Sequence, residues 1–358
     1  MQFPYKYDII SLFQGNTKEE GHLTNQKGYS MRKELRYMVV DTETATLPFA
    51  NEIAQNDTEK KKKIAIARPL VYDIGWTITN RKGEILDKKQ FLIAETFAVP
   101  AVFNTAYYAE KRPLYLEMLK EGKTAIKPWG EVMELFIEDL QTVNAVGAYN
   151  AMFDFKKAIP FTELYINKLY SPDYQNWEFL QRKMCAKIAN EKYQKKEEKE
   201  FDGESFTFRG QSYPLFDLWG LATKHLLNNV SYKKQCLDHN LLTASGTFFK
   251  TSAESSFQYL CDRYDFEESH TALDDAMIET HILSCVAKKH AISTGITFFP
   301  FRELGTTTEF VMRRKIPQIS EVMVVYEAIM AYIETKEESR YVVGLRNMLK
   351  ELEEYMAG

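Results

Sequence analysis

The spacing of apolar and polar residues changes several times along the chain, and each change marks an element. Tyr37 to Val40, in "ELRYMVVDTETATL", is a short β-branched apolar run with polar flanks, which predicts a buried strand. Tyr72 to Thr79 and Glu84 to Ile93 alternate on either side of "NRKG", the pattern of a β-hairpin. Between Pro128 and Gln141 the residues Val132, Leu135, Phe136 and Leu140 recur at helical spacing, with Pro128 near the start. A short strand is expected at Val143 to Ala148, followed by helical patterns over residues 157–190 that "SPDYQN" interrupts. "YPLFDLWGLATKHLL" reads as an amphipathic helix, and "SHTALDDAMIETHIL" as another for which Ser269 is a suitable N-cap. Residues 318–356 read as two charged amphipathic helices joined near Glu337 to Arg340. Strands alternating with helices predict an α/β layered domain.

Breaks in the pattern divide the chain. Residues 1–34 are a polar N-terminal extension without a sustained period, 35–294 form the main domain, and 295–358 form a mainly helical C-terminal extension. Two stretches read as insertions in the main domain. One, about 46–70, carries the run Lys60, Lys61, Lys62 and Lys63, which by charge alone reads as a solvated loop. The other, about 190–210, is dense in both signs of charge.

Composition narrows the class. At 45% hydrophobic and 27% charged residues the 358-residue chain has ordinary globular usage, not that of a disordered protein. A net charge of −4 means that any binding to nucleic acid must come from a local basic surface. Cys185, Cys236, Cys261 and Cys285 are too scattered for a metal knuckle and too few for a disulfide framework, so reduced thiols and a cytoplasmic protein are expected. Neither a leader nor an apolar run of spanning length is evident, and no membrane association is expected.

Candidate chemistry comes from carboxylates. Asp41 and Glu43 stand two apart at the end of the first strand, which turns both side chains to one side. Asp154 follows a second strand, and Asp275 lies in an opening helical turn five residues after His270. Each has a structural explanation alone, since acidic residues suit helix starts. Together, in a crevice off strand ends, they would repel one another unless a cation neutralised them. Oxygen ligands suit Mg²⁺ or Mn²⁺, and two such ions about 3.5 to 4 Å apart activate water and stabilise a leaving oxygen in phosphodiester cleavage. His270, titrating near neutrality, is the candidate base.

Three motifs carry a resemblance. "VVDTETA", "YNAMFDF" with its Asn-x-x-Phe-Asp pattern and "HTALDDA" with its His-x-x-x-x-Asp spacing resemble, in order, the three motifs of the DEDDh family of 3′-5′ exonucleases, which includes proofreading and RNase T-like enzymes. The resemblance covers about residues 35 to 290. It implies a ribonuclease H-like mixed sheet flanked by helices, with the insertions and the C-terminal helical extension outside the shared core. It further implies two divalent ions, Mg²⁺ or Mn²⁺, held by Asp41, Glu43, Asp154 and Asp275, with His270 as general base. The implied activity is release of nucleoside 5′-monophosphates from the 3′ end of DNA, single-stranded by preference. Thr42, Thr44 and Asn150 are the implied substrate contacts. The loop after the first motif is longer than is typical of the family, so Lys60 to Lys63 and Arg68 are expected to reach the substrate backbone as a flap. Asp274 falls outside the ligand pattern, and Phe153 is expected in the core. A helical core face, rather than a base-stacking platform, is the favoured reading of Phe103, Tyr107, Tyr108 and Tyr115. His22, His225, His239, His281 and His290 have no motif context. The alternatives are an exonuclease that trims RNA or oligonucleotides, and a non-catalytic nucleic-acid-binding protein. The C-terminal helices suggest a polymerase or replication partner. Oligomeric state is not specified by the sequence.

Overall fold

The first strand outruns the apolar segment that announced it. In the computed structural model, which describes residues 34–47, 69–173, 203–313 and 318–357, β1 runs Arg36–Thr46 straight through the first motif. Asp41 and Glu43 therefore lie within a strand instead of at its end. What ends early is its partner: β1 pairs in parallel with β5 (Ala145–Ala148) only as far as Val39↔Gly147. On its other edge β1 pairs along its whole length with antiparallel β2 (Pro69–Asn80), placing Asp41 opposite Gly75 and Glu43 opposite Asp73. The two acidic residues are thus backed by β2 and open toward the end of β5. Residues from Glu34 onward form one compact unit; residues 1–33 lie outside the described residues, as do Lys60 to Lys63 and Arg68.

Four further strands complete a mixed sheet of seven, in the order β4-β3-β2-β1-β5-β7-β6. β3 (Ile85–Ile93) closes the expected hairpin through Asn80 to Glu84, where Gly83 takes the positive φ of the turn. β4 is Ala125–Lys127. β6 (Ser205–Phe208) and β7 (Gln211–Asp217) correct two readings. "YPLFD" is strand, because Leu215 pairs with Val146 and Asp217 with Ala148, and only the residues from Leu218 are helical. Leu215 and Phe216 are both fully buried on opposite faces of the sheet, a pattern that helical and strand periods fit equally well in so short a run. Residues 205–208 are likewise strand inside the stretch read as an insertion, with Phe206 and Phe208 buried.

Alternation along β1 divides the core. Met38 and Val40 pack with Trp76, Phe136 and Phe155 under the helices α2 (Trp129–Leu140) and α3 (Ile159–Leu169), preceded in the chain by α1 (Arg112–Lys120). Tyr37 and Val39 pack on the other face with Phe216, Ile278 and Ile282, under α5 (Ala253–Cys261) and α6 (Ala272–Ala287), which follow α4 (Val230–Asp238). Asp41 and Glu43 share the parity of Tyr37 and Val39, so the face that seats α6 also carries them. The C-terminal helices α7 (Ile319–Glu334) and α8 (Arg340–Ala357) form a third cluster with α4, in which Tyr232 and Leu237 meet Val325, Ile329 and Leu352. Among the described residues no helix is long and apolar enough to cross a membrane. Cys236, Cys261 and Cys285 are free thiols; Cys185 lies outside the described residues.

Candidate functional site

The second acidic position begins where β5 ends. Asn150 takes a left-handed conformation, φ 76°, that turns the chain out of the sheet into a short helical segment. Asp154 then heads a π-helical turn, Asp154–Ala158, and is buried, accepting a 2.6 Å hydrogen bond from the Thr42 hydroxyl. The Thr42 hydroxyl thus holds Asp154 in place from the neighbouring strand. Thr44 is half-buried on β1 and is not among the residues that line the cleft, whereas Asn150 is exposed and lines it.

The third motif is clamped at several points. Ser269 does not cap α6. Thr271 occupies that position without a side-chain cap, and the first helical N–H, of Ala272, donates at 3.0 Å to Asp73 on β2. Asp73 is fully buried and also accepts from Gln90 Nε2 at 2.9 and 3.0 Å. A Cβ on the neighbouring Gly75 would lie 2.3 Å from Leu273 N, so the bare glycine is what lets the helix start come so close to the sheet. Asp274 accepts from the hydroxyls of Ser269 and Thr271, both at 3.0 Å, and Lys111 Nζ donates to the Ser269 carbonyl at 2.6 Å. This network holds His270 at φ 51°, in the left-handed region.

These elements bring the motifs together. Ligand atoms of Glu43, His270 and Asp275 all lie within 4.8 Å of one another. His270 Nδ1 is 3.8 Å from Asp275 Oδ2 and 3.9 Å from Glu268 Oε2. Its other nitrogen, Nε2, is 3.1 Å from the Tyr108 hydroxyl, and the two rings stack with centroids 4.2 Å apart. Of the aromatic stretch read as a core face, Phe103 and Tyr115 are core, Tyr107 is exposed, and Tyr108 belongs to the site. Phe153 packs against the core, as expected.

Electrostatics single out the cluster. Burial, reinforced by Glu279, Asp275, Asp154 and Glu43, pushes Asp41 well above the carboxylate range. Burial, then Glu268, Glu43 and Glu279, does the same to Asp275. Glu43 is pushed up to about 8, by burial first and by Asp73 next. Asp154 is pushed up to about 7 by burial, against the opposing hydrogen bond from Thr42. His270 is held below its ordinary value by burial and by Lys111, which keeps it neutral near pH 7.

Glu268 and Glu279 add two carboxylates that no motif marks. Glu279, buried one turn beyond Asp275, accepts from the Tyr149 N–H at 3.0 Å. Its i+4 spacing from Asp275 is the signal that would have found it. Glu268 is raised to about 7 by burial and by Glu254. Asp73 is legible only as a charge inside the apolar run "VYDIGW".

The donor set fits divalent cations. All four motif carboxylates offer oxygen, Asp275 Oδ1 and Glu268 Oε1 are buried without a hydrogen-bond partner, and burial, with repulsion from neighbouring carboxylates added, raises Asp41 and Asp275. Asp41, Glu43, Glu268, His270, Asp275 and Glu279 border one cleft of about 450 Å³. Searches with this chain against protein-family models, curated proteins and solved structures found no match.

Proposed function

We propose that the protein is a divalent-metal-dependent 3′-5′ exonuclease of ribonuclease H-like architecture, acting on single-stranded DNA. The observation that carries this reading is the convergence of Glu43, Asp275 and His270 within 4.8 Å, with Asp154 close enough for its charge to add to the raising of Asp41 and Glu43, from three distant parts of the chain. Asp41, Glu43, Asp154 and Asp275 would hold Mg²⁺ or Mn²⁺, which when bound supplies Lewis-acid activation of water and of the scissile phosphate.

The protein's own groups do the rest. His270 turns Nδ1 toward the carboxylates, so Nδ1 is the atom that takes the proton from water. It can accept only as the tautomer with hydrogen on Nε2, and in that tautomer Nε2–H donates to the Tyr108 oxygen. Glu268, 3.9 Å from Nδ1, stabilises the imidazolium that forms. Asp73, Asp274 and Lys111 keep the helix start and its preceding loop in place.

The test is time-resolved digestion of 3′- and 5′-labelled single-stranded DNA with Mg²⁺ or Mn²⁺, for the wild type and for Asp275→Asn. Stepwise loss from the 3′ end, abolished by the substitution and by chelator, is expected. A matched RNA strand run alongside decides the sugar preference. A folded wild type inert on both strands with either metal would refute the reading.

A further inference from the structure

The cleft has a second wall that the chemistry above does not use. Beside the carboxylates it is bordered by Trp219 and Phe301. Their rings are near-parallel, with an interplanar angle of 23° and centroids 6.2 Å apart. Both are half-buried, and neither belongs to any of the three apolar clusters that make up the core. Each is held from behind. Trp219 Nε1 donates to Thr251 Oγ1 at 2.9 Å, and Phe248 meets Phe301 edge-on at 5.0 Å. Two flat rings, fixed in orientation and presented to the same cavity as the candidate metal ligands, form a stacking surface.

We propose that Trp219 and Phe301 stack an unpaired nucleobase at the 3′ end of the strand, so that the cleft selects single-stranded ends. The inference rests on the exonuclease reading and deepens it. Nucleobases offer their π-faces to an aromatic ring whatever their sequence, and a base inside a duplex has those faces covered by its stacked neighbours. Lys250, paired with Glu254 at 3.6 Å, borders the same cleft.

A substrate-variant cycle tests this. Kinetics are measured on one oligonucleotide with ordinary 3′-terminal nucleotides and on its twin with the last two nucleotides abasic, for the wild type and for Trp219→Leu/Phe301→Leu. Wild type should lose about tenfold or more in kcat/KM when the bases are removed. In the double variant the two strands should differ by no more than about twofold, the wall being gone. Trp219→Phe, which keeps a ring in place of the indole, should retain most of the discrimination and guards against misfolding of the double variant. An undiminished difference between the strands in the double variant would overturn the inference. The p-nitrophenyl ester of thymidine 5′-monophosphate separates the two levels. Wild-type hydrolysis of the ester, with no coupling between bases and wall, sinks the stacking wall alone, while inactivity on ester and strands together sinks the exonuclease reading with it.

Discussion

Replacing Gly75 by alanine should disable the site without touching any group that takes part in the chemistry. The added Cβ would sit 2.3 Å from Leu273 N and 2.5 Å from Ala272 C and Leu273 Cα, all backbone atoms, whereas ordinary contact begins at 3.4 Å. No side chain can swing away, so the start of α6 must retreat from β2 by about 1 Å. Overpacking of this kind costs about 1–3 kcal/mol. The same retreat stretches the 3.0 Å bond from Ala272 N to Asp73, and a hydrogen bond to a charged group contributes about 1.5–3 kcal/mol. The sum, about 2.5–6 kcal/mol if the bond is lost altogether, lies mostly below the stability of an ordinary domain, about 5–15 kcal/mol, so the variant should fold with a lowered Tm. His270 and Asp275 ride on that segment, and a misplacement of about 1 Å can cost about a hundredfold in rate. Thermal unfolding and single-strand digestion, measured side by side, check both figures. Gly130→Ala, in α2 with nothing within 4 Å of the new methyl, is the matched control and should leave turnover unchanged and Tm unchanged or slightly raised. A Gly75→Ala protein with wild-type Tm and turnover would refute the claim that this close approach positions the site.

Other consequences follow from the acidic cluster. Asp73, Asp154 and Glu268 are raised to about 7 and Glu43 to about 8, so across that range the folded chain holds protons that the unfolded chain releases. Tm in chelator should therefore fall as pH rises from about 5 to 8, and saturating Mn²⁺ should flatten the slope; a Tm that climbs over this window in chelator contradicts the cluster's electrostatics. Glu279→Gln keeps an acceptor for the Tyr149 N–H while removing one buried charge. It should raise Tm in chelator and reduce the Tm gained on adding Mn²⁺, both readable by differential scanning calorimetry. Tyr108→Phe removes the partner of His270 Nε2 but keeps the stacked ring, and should lower kcat about two- to tenfold with little change in KM.

How much of this the sequence revealed depended on whether a residue's partner was near it in the chain. The hairpin, α2, α6 and the two C-terminal helices were legible because local period and turn chemistry agree there. Asp41, Glu43, Asp154, His270 and Asp275 were legible as spaced motifs. Tyr213 to Asp217 was misread because five apolar-rich residues satisfy both periods, and only pairing with β5 decides. Asp73 escaped notice because its role is to cap a helix that begins 199 residues later, and Tyr108 was read as part of a core face because its stacking partner lies 162 residues away. The bond from the Thr42 hydroxyl to Asp154 was not legible either, its partner lying 112 residues away. Lys60 to Lys63 lie outside the described residues.

The third apolar cluster bears on how the chain can be shortened. Because Tyr232, Leu237 and Phe249 are covered by side chains of α7 and α8, a polypeptide ended near residue 300 would present that surface to water. Such a truncation would come out of solution instead of yielding a smaller, well-behaved domain. It follows that any protein recruited to the C-terminal helices must grip their outer, charged sides, since the inner ones are already spoken for by α4.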